Sequence, residues 1–166
     1  MKLRKLQLED LKTRVEWMNN PKVYSSMHFD VPVSLVNTIR WFENHQKNEK
    51  RADVVFEEDG KLLAMGGLTN INRETNKAEL YVFVNPNLQK GGFGTQATKL
   101  LCKYGFEDLK LGKIYLETNE DNYAAKRVYE KCGFQLEGIL RNEYRTQDGL
   151  LKNRLYYGML KGELNE

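Results

Sequence analysis

The chain has 166 residues, 40% apolar and 30% charged, with a formal net charge of +3; this composition excludes fibrous and disordered classes and sets an expectation of one domain spanning 1–166. Apolar runs such as Leu62-Leu63-Ala64-Met65 fall far short of the ~20 residues a bilayer span needs, the opening MKLRKLQLED lacks a secretory core, and the positive charge is spread too thinly to suggest nucleic-acid binding. Cys102 and Cys132 form no CxxC pair and His28 and His45 stand alone, so neither a disulfide scaffold nor a metal centre is expected, and a reducing cytoplasm fits.

A short strand is expected around Leu3–Leu8, followed by a helix capped by Asp10 and carrying Val15, Trp17 and Met18. Asn19-Asn20-Pro21 stops that helix, and a loop with Tyr24, His28 and Phe29 follows. Ser34 caps a second helix with Leu35, Ile39 and Phe42 on one stripe. Ala52–Glu58 and Lys61–Leu68 flank Asp59-Gly60, a hairpin signal. Ala78–Val84 reads as a fourth strand, ended by Asn85-Pro86. A helix with Phe93, Ala97, Leu100, Leu101 and Tyr104 on one face comes next, then a strand over Lys113–Thr118. Asn122–Lys131 is helical with Gly133 as its C-cap, and two last strands, about 134–146 and 151–160, turn at Asp148-Gly149. The order β-α-α-β-β-β-α-β-α-β-β mixes hairpins with two β-α-β crossovers, which predicts one mixed sheet with helices on both faces.

The segment AELYVFVNPNLQKGGFGTQATK, residues 78–99, joins a strand to a helix through glycines. The first helical N–H groups have no intrahelical acceptor and sit in the positive end of the helix dipole. Glycine lets that backbone approach an anion closely, so this is a candidate pyrophosphate cradle. No Gly-Lys-Ser/Thr follows, which excludes a Walker loop, and the glycine spacing is not that of a dinucleotide fingerprint.

Gln89-Lys90-Gly91-Gly92-Phe93-Gly94 resembles the Q/R-x-x-G-x-G/A acetyl-CoA loop of the GNAT N-acetyltransferase family. Asn122 to Phe134, NYAAKRVYEKCGF, resembles that family's N-x-x-A-x-x-x-Y-x-x-x-G-F segment, and KIYLET between them resembles its fifth strand. The resemblance implies a three-layer α/β/α fold, a mixed α+β arrangement with a mostly antiparallel sheet of about seven strands. It also implies acetyl-CoA as co-substrate, held by Gln89, Lys90, Gly91, Gly92, Phe93, Gly94 and Thr95, by Phe83 and Val84 beside the pantetheine arm, and by Asn122 and Lys126. A free N–H of Val82 or Phe83 is expected to face the developing oxyanion.

An alkyl amine arrives protonated at neutral pH and needs a base. Glu79 is the candidate, sharing one face of its strand with Tyr81 and Phe83; Glu117 lies late in the next strand and is less attractive. Tyr129, which the resemblance sets beside the CoA sulfur, is the candidate general acid, although its spacing also suits core packing. Cys132 falls on the core stripe and reads as inert, which favours direct transfer over an acyl-enzyme.

The opening WMNNPKVY and closing EGILRNEY resemble the branch containing ribosomal-protein N-terminal, spermidine and nucleotide-aminosugar acetyltransferases. Tyr24, His28, Phe29 and Tyr81 are the candidate acceptor-binding residues, with Arg141, Asn142 and Tyr144 also available. Residues 23–32 contain a single acid, Asp30, which weighs against a polyamine and towards an aminosugar or other small primary amine, with a protein N-terminus as the runner-up. A non-catalytic acyl-CoA sensor and a nucleotide-binding regulatory domain are the readings from other classes. A homodimer through the C-terminal strands is expected from Leu155, Tyr156 and Tyr157.

Overall fold

A computed structural model describes residues 1–88 and 91–166. Its strands are β1 (Lys2–Lys5), β2 (Ala52–Glu58), β3 (Lys61–Asn72), β4 (Lys77–Val84), β5 (Lys113–Asn119), β6 (Gln135–Arg145) and β7 (Leu151–Leu160). The helices are α1 (Leu11–Met18), α2 (Pro21–Tyr24), α3 (Leu35–His45), α4 (Phe93–Glu107) and α5 (Tyr123–Cys132). The strands form one sheet in the order β1-β2-β3-β4-β5-β7-β6. Every neighbouring pair is antiparallel except β4 and β5.

Alternation along β4 divides the molecule into its layers. Ala78, Leu80, Val82 and Val84 face a core shared with Ala97, Leu101 and Phe106 of α4 and Val128, Tyr129 and Cys132 of α5. Tyr81 and Phe83 face the opposite core, built with Leu11 and Trp17 of α1, Val23 of α2 and Ile39, Trp41 and Phe42 of α3. A period of two in the strand and of 3.6 in the helices produces both layers, so the expected three-layer arrangement is present.

Two local expectations are corrected, and two features go beyond them. The first strand ends at Lys5; Leu6 and Gln7 are irregular, and Leu8 begins a 3-10 turn over Leu8–Asp10. Asp10 sits at the α1 N-cap position without capping it; its carboxylate instead takes two hydrogen bonds from Arg4, at 2.7 and 2.9 Å, and one from the Gln7 N–H at 2.8 Å. Pro21 does more than stop α1, because Asn20 accepts from the Lys22 N–H and starts the short α2 with proline in its first turn. The element order left the place of the last strand open, and β7 is inserted between β5 and β6 and pairs with both.

The strand residues expected to support a dimer are also engaged differently. Leu155 and Tyr157 are buried in the core beneath α5, and Tyr156 stacks on Tyr115 at 5.2 Å. Apolar exposure in the strands of the last hairpin lies at Leu136 and Ile139 of the edge strand β6 and at Leu151 and Leu160, the two ends of β7.

Candidate active site

β4 and β5 run in register for only three pairs, Lys77 with Lys113, Ala78 with Ile114 and Glu79 with Tyr115. From Leu80 onward, β4 keeps its partner β3 but has no registered partner in β5. Backbone polar groups on that edge of β4 are therefore left without a strand partner, and the parting of the strands opens a cleft of ≈ 500 Å³. Residues Glu79 to Pro86 of β4 and the turn after it line one wall. Glu117 and Thr118 of β5, Asn122, Ala125 and Tyr129 of α5, and Arg154 of β7 line the other.

The first turn of α4 lies beside the far end of this cleft, since a Cβ built on Gly94 falls 3.6 Å from Val84 Cγ2 and 3.9 Å from Val128 Cγ2. Gly92 is the N-cap, in the left-handed conformation, and no side chain caps the helix. The first intrahelical bond there runs from the Gln96 N–H to the Gly92 carbonyl at 3.0 Å, so the Phe93, Gly94 and Thr95 N–H groups precede any intrahelical acceptor. Gly91 has φ +132, and a Cβ on it would stand 2.6 Å from the Phe93 ring; no larger residue fits that bend unstrained. A fifteen-residue helix with bare N–H groups at the end of an open cleft suits a diphosphate. Gln89 and Lys90, expected in the same cradle, lie outside the described residues.

Asn122 caps α5, accepting from the Ala125 N–H at 3.1 Å, and also lines the cleft. Lys126, one turn on, is half-buried and not among the cleft-lining residues, with its ammonium 5.3 Å from the Tyr123 ring centre. Phe83 lines the cleft but is 5% exposed, packed edge-on against Trp17 at 6.5 Å. Thr95 accepts a hydrogen bond from the Cys132 thiol through its carbonyl. Burial pushes that thiol up to about 11, which keeps it protonated and unreactive at neutral pH.

Glu79 stands at the point of parting. Its Oε2 accepts from Asn70 Nδ2 at 2.7 Å, and the side chain is part-exposed at the cleft. Tyr129 is in the opposite wall, with its ring edge-on to Phe134 at 5.8 Å and tilted against Tyr157 at 6.2 Å. Burial pushes its phenol up to about 12, with Cys132 adding to the rise and Arg154 pulling against it. The hydroxyl is thus a proton donor across the physiological range. The one side chain both packs against the core and lines the cleft.

The acceptor-side candidates separate. His28 lines the cleft, its Nε2 2.7 Å from Asn119 Oδ1 and its ring edge-on to Tyr144 at 4.8 Å. Tyr81 lines it too, but its hydroxyl donates to Asp53 and accepts from Arg14 Nη2 at 3.2 Å, so the phenol is committed and not free for a substrate. Tyr24 is not among the lining residues, and Phe29 packs into the core around Trp17. Arg141 and Asn142 border a separate shallow groove on the sheet edge.

The cleft also contains groups that sequence reasoning missed or set aside. Lys22, Ser26 and Met27 contribute from α2 and the turn after it. Glu117, judged too late in its strand, is in the wall, and Arg154 donates to its carboxylate at 2.8 Å and its carbonyl at 3.1 Å. The alternation of β5 gave Glu117 the same face as Tyr115, but nothing local in β7 marked Arg154.

Residues 1–135 match the acetyltransferase (GNAT) domain family. The chain is 32% identical over 144 residues to a spermidine N(1)-acetyltransferase of Escherichia coli (strain K12), covering 87% of this chain and 77% of that one. It is 31% identical over 144 residues to the spermidine N(1)-acetyltransferase of Vibrio cholerae, covering 86% and 83%. The structure superposes on the crystal structure of the Vibrio cholerae spermidine N-acetyltransferase in complex with CoA and spermine with a TM-score of 0.91, at 27% identity, over 98% of this chain and 96% of that one. The split sheet, the bare helix terminus at its mouth and these likenesses agree: this chain is a member of the GNAT acetyltransferase family, an acyltransferase.

Proposed function

We propose that residues 1–166 act as one domain that transfers an acetyl group from acetyl-CoA directly to the primary amine of a small acceptor. The observation that carries this reading is the parting of β4 from β5 after Glu79, with Glu79 and Tyr129 on opposite walls of the resulting cleft. The diphosphate of the coenzyme rests on the α4 N-terminus, with Gln89 and Lys90 preceding it, and the pantetheine arm follows the unpaired edge of β4 past Phe83 and Val84 to Asn122.

The acceptor ammonium loses its proton to Glu79, directly or through water. The neutral amine attacks the thioester carbonyl, and a β4 N–H at Val82 or Phe83 meets the oxyanion. As the carbon–sulfur bond breaks, the Tyr129 hydroxyl donates to the departing thiolate, the second proton of the acylated nitrogen returns through water to the Tyr129 oxygen, and Glu79 releases the first to solvent. The buried thiols Cys102 and Cys132 take no covalent part and suit a reducing, cytoplasmic setting.

For the acceptor, charge is the guide. Glu117 is already paired with Arg154 and Lys22 adds a positive charge, so Glu79 is the one lining carboxylate without an ion-pair partner among the described residues. That supports an acceptor with one reacting ammonium and few further cations, an aminosugar being the first class to test. A polyamine is the second reading, supported by the spermidine N-acetyltransferases among the relatives. A panel of aminosugars, nucleotide-linked aminosugars, polyamines and N-terminal peptides with acetyl-CoA, read by free-thiol release, separates these. CoA binding without thiol release for any amine would leave the sensor reading instead.

A further inference from the structure

On the α1–α3 side of β4, behind the cleft-lining Tyr81 and Phe83, the guanidinium of Arg14 is enclosed without a counter-ion among the described residues. Arg14 is 6% exposed, and its carbon centre lies 5.2 Å from the Trp41 ring centre, 5.7 Å from Tyr81 and 5.5 Å from Phe83. Nη2 donates to the Tyr81 hydroxyl, while Nη1 is buried with no hydrogen-bond partner. Among the described residues no carboxylate pairs with Arg14; the nearby Asp53 is held by Arg51 at 2.7 Å and by the Tyr81 hydroxyl. The Arg14-Tyr81-Asp53-Arg51 chain therefore carries two guanidinium charges against one carboxylate. Aromatic faces offset part of the cost of a buried cation, but a buried charge with an orphan donor remains expensive.

A pocket of ≈ 400 Å³ on this side has both Arg14 and Arg51 in its lining. Its remaining wall includes Ser34, Asn37 and Thr38 at the start of α3, an eleven-residue helix whose N-terminal end adds positive potential. Asp30 borders the pocket as an exposed residue and forms no ion pair with either arginine. We propose that this pocket is an oxyanion site, distinct from the acetyl-transfer cleft, in which a carboxylate or phosphate group supplies the counter-charge that Arg14 lacks. The two cations, the orphan N–H and the helix terminus all favour a compact anion, and the room available admits a small organic acid or phosphate ester. This assignment does not rest on the acetyl-transfer reading.

Trp41 lines the pocket and Trp17 does not, so the two indole N–H resonances report locally. Inorganic phosphate and acetate are titrated separately into the full chain, with chloride at matched ionic strength, and the Trp41 signal is assigned with Trp41→Phe. The expected result is a saturable shift of the Trp41 resonance with phosphate, acetate or both, and none with chloride. Phosphate alone assigns a phosphoryl ligand, and both assign any oxyanion. Asn37→Asp places a carboxylate on the exposed rim and is expected to weaken the response about tenfold, and Arg14→Met to abolish it. Absence of a saturable shift, an equal response to chloride, or an unchanged affinity in Asn37→Asp overturns the assignment; that last variant decides the matter should Arg14→Met fail to fold.

Discussion

Glu79 of β4 and Tyr115 of β5 form the last registered pair before the two parallel strands separate. The carboxylate therefore stands where the sheet stops holding itself together and begins to leave backbone groups for a ligand. Its neighbour two residues on, Tyr81, faces the same side but has its hydroxyl tied to Asp53 and Arg14. One strand face thus carries a part-exposed carboxylate at the cleft beside a locked phenol.

Glu79→Gln is expected to lower kcat/KM by about 10²- to 10⁴-fold, the range for loss of a general base. The loss should shrink as pH approaches the amine's own pKa, because a neutral acceptor no longer needs the base. An unaltered pH profile would reject the assignment.

Tyr129→Phe is expected to reduce kcat with little change in CoA affinity. Burial holds the phenol at about 12, so it reaches the step protonated; because the leaving thiol is the stronger acid, it acts by hydrogen-bonding to the sulfur as charge develops, with the proton moving late. A rise in KM for acetyl-CoA at constant kcat, measured by initial rates, would show a binding role instead.

Base stability follows from Tyr81, whose phenol is pushed up to about 12 by burial, with Arg14 opposing and Asp53 adding. A tyrosine in the unfolded chain titrates near 10. The folded value is the higher one, so the stabilisation is present below pH ~10 and is lost as pH rises towards about 12. Denaturant midpoints across that window should fall with pH, and Tyr81→Phe should flatten the slope while lowering stability at neutral pH by leaving Arg14 and Asp53 without their shared partner.

Gly133→Ala should destabilise the fold by roughly 1–3 kcal/mol or more. Gly133 has φ +109, and an added Cβ would meet the Glu163 carbonyl oxygen at 2.2 Å, a backbone atom that cannot swing aside. A denaturation midpoint equal to that of the parent would contradict the close approach of the C-terminal segment to α5.

The sequence by itself determined the order of the strands and of the helices of eight residues or more, the hairpin at Asp59-Gly60, the Ser34 cap, the α5 segment from Asn122 to Gly133 and the glycine-led entry into α4. These are local: they follow from alternation, helical spacing, capping oxygens and glycine φ within a few residues. The three-dimensional arrangement decided what no local pattern encodes. The insertion of β7 between β5 and β6 put Arg154 against Glu117, joining residues 37 positions apart into one cleft wall. Asp53 and Arg14, from β2 and α1, took the Tyr81 hydroxyl out of the set of substrate contacts. His28 reached the cleft while Phe29, its neighbour, turned into the core. Side-chain chemistry is written residue by residue, but the partner that satisfies or frees each polar group is chosen by packing between distant segments, and that choice exists only in the folded chain.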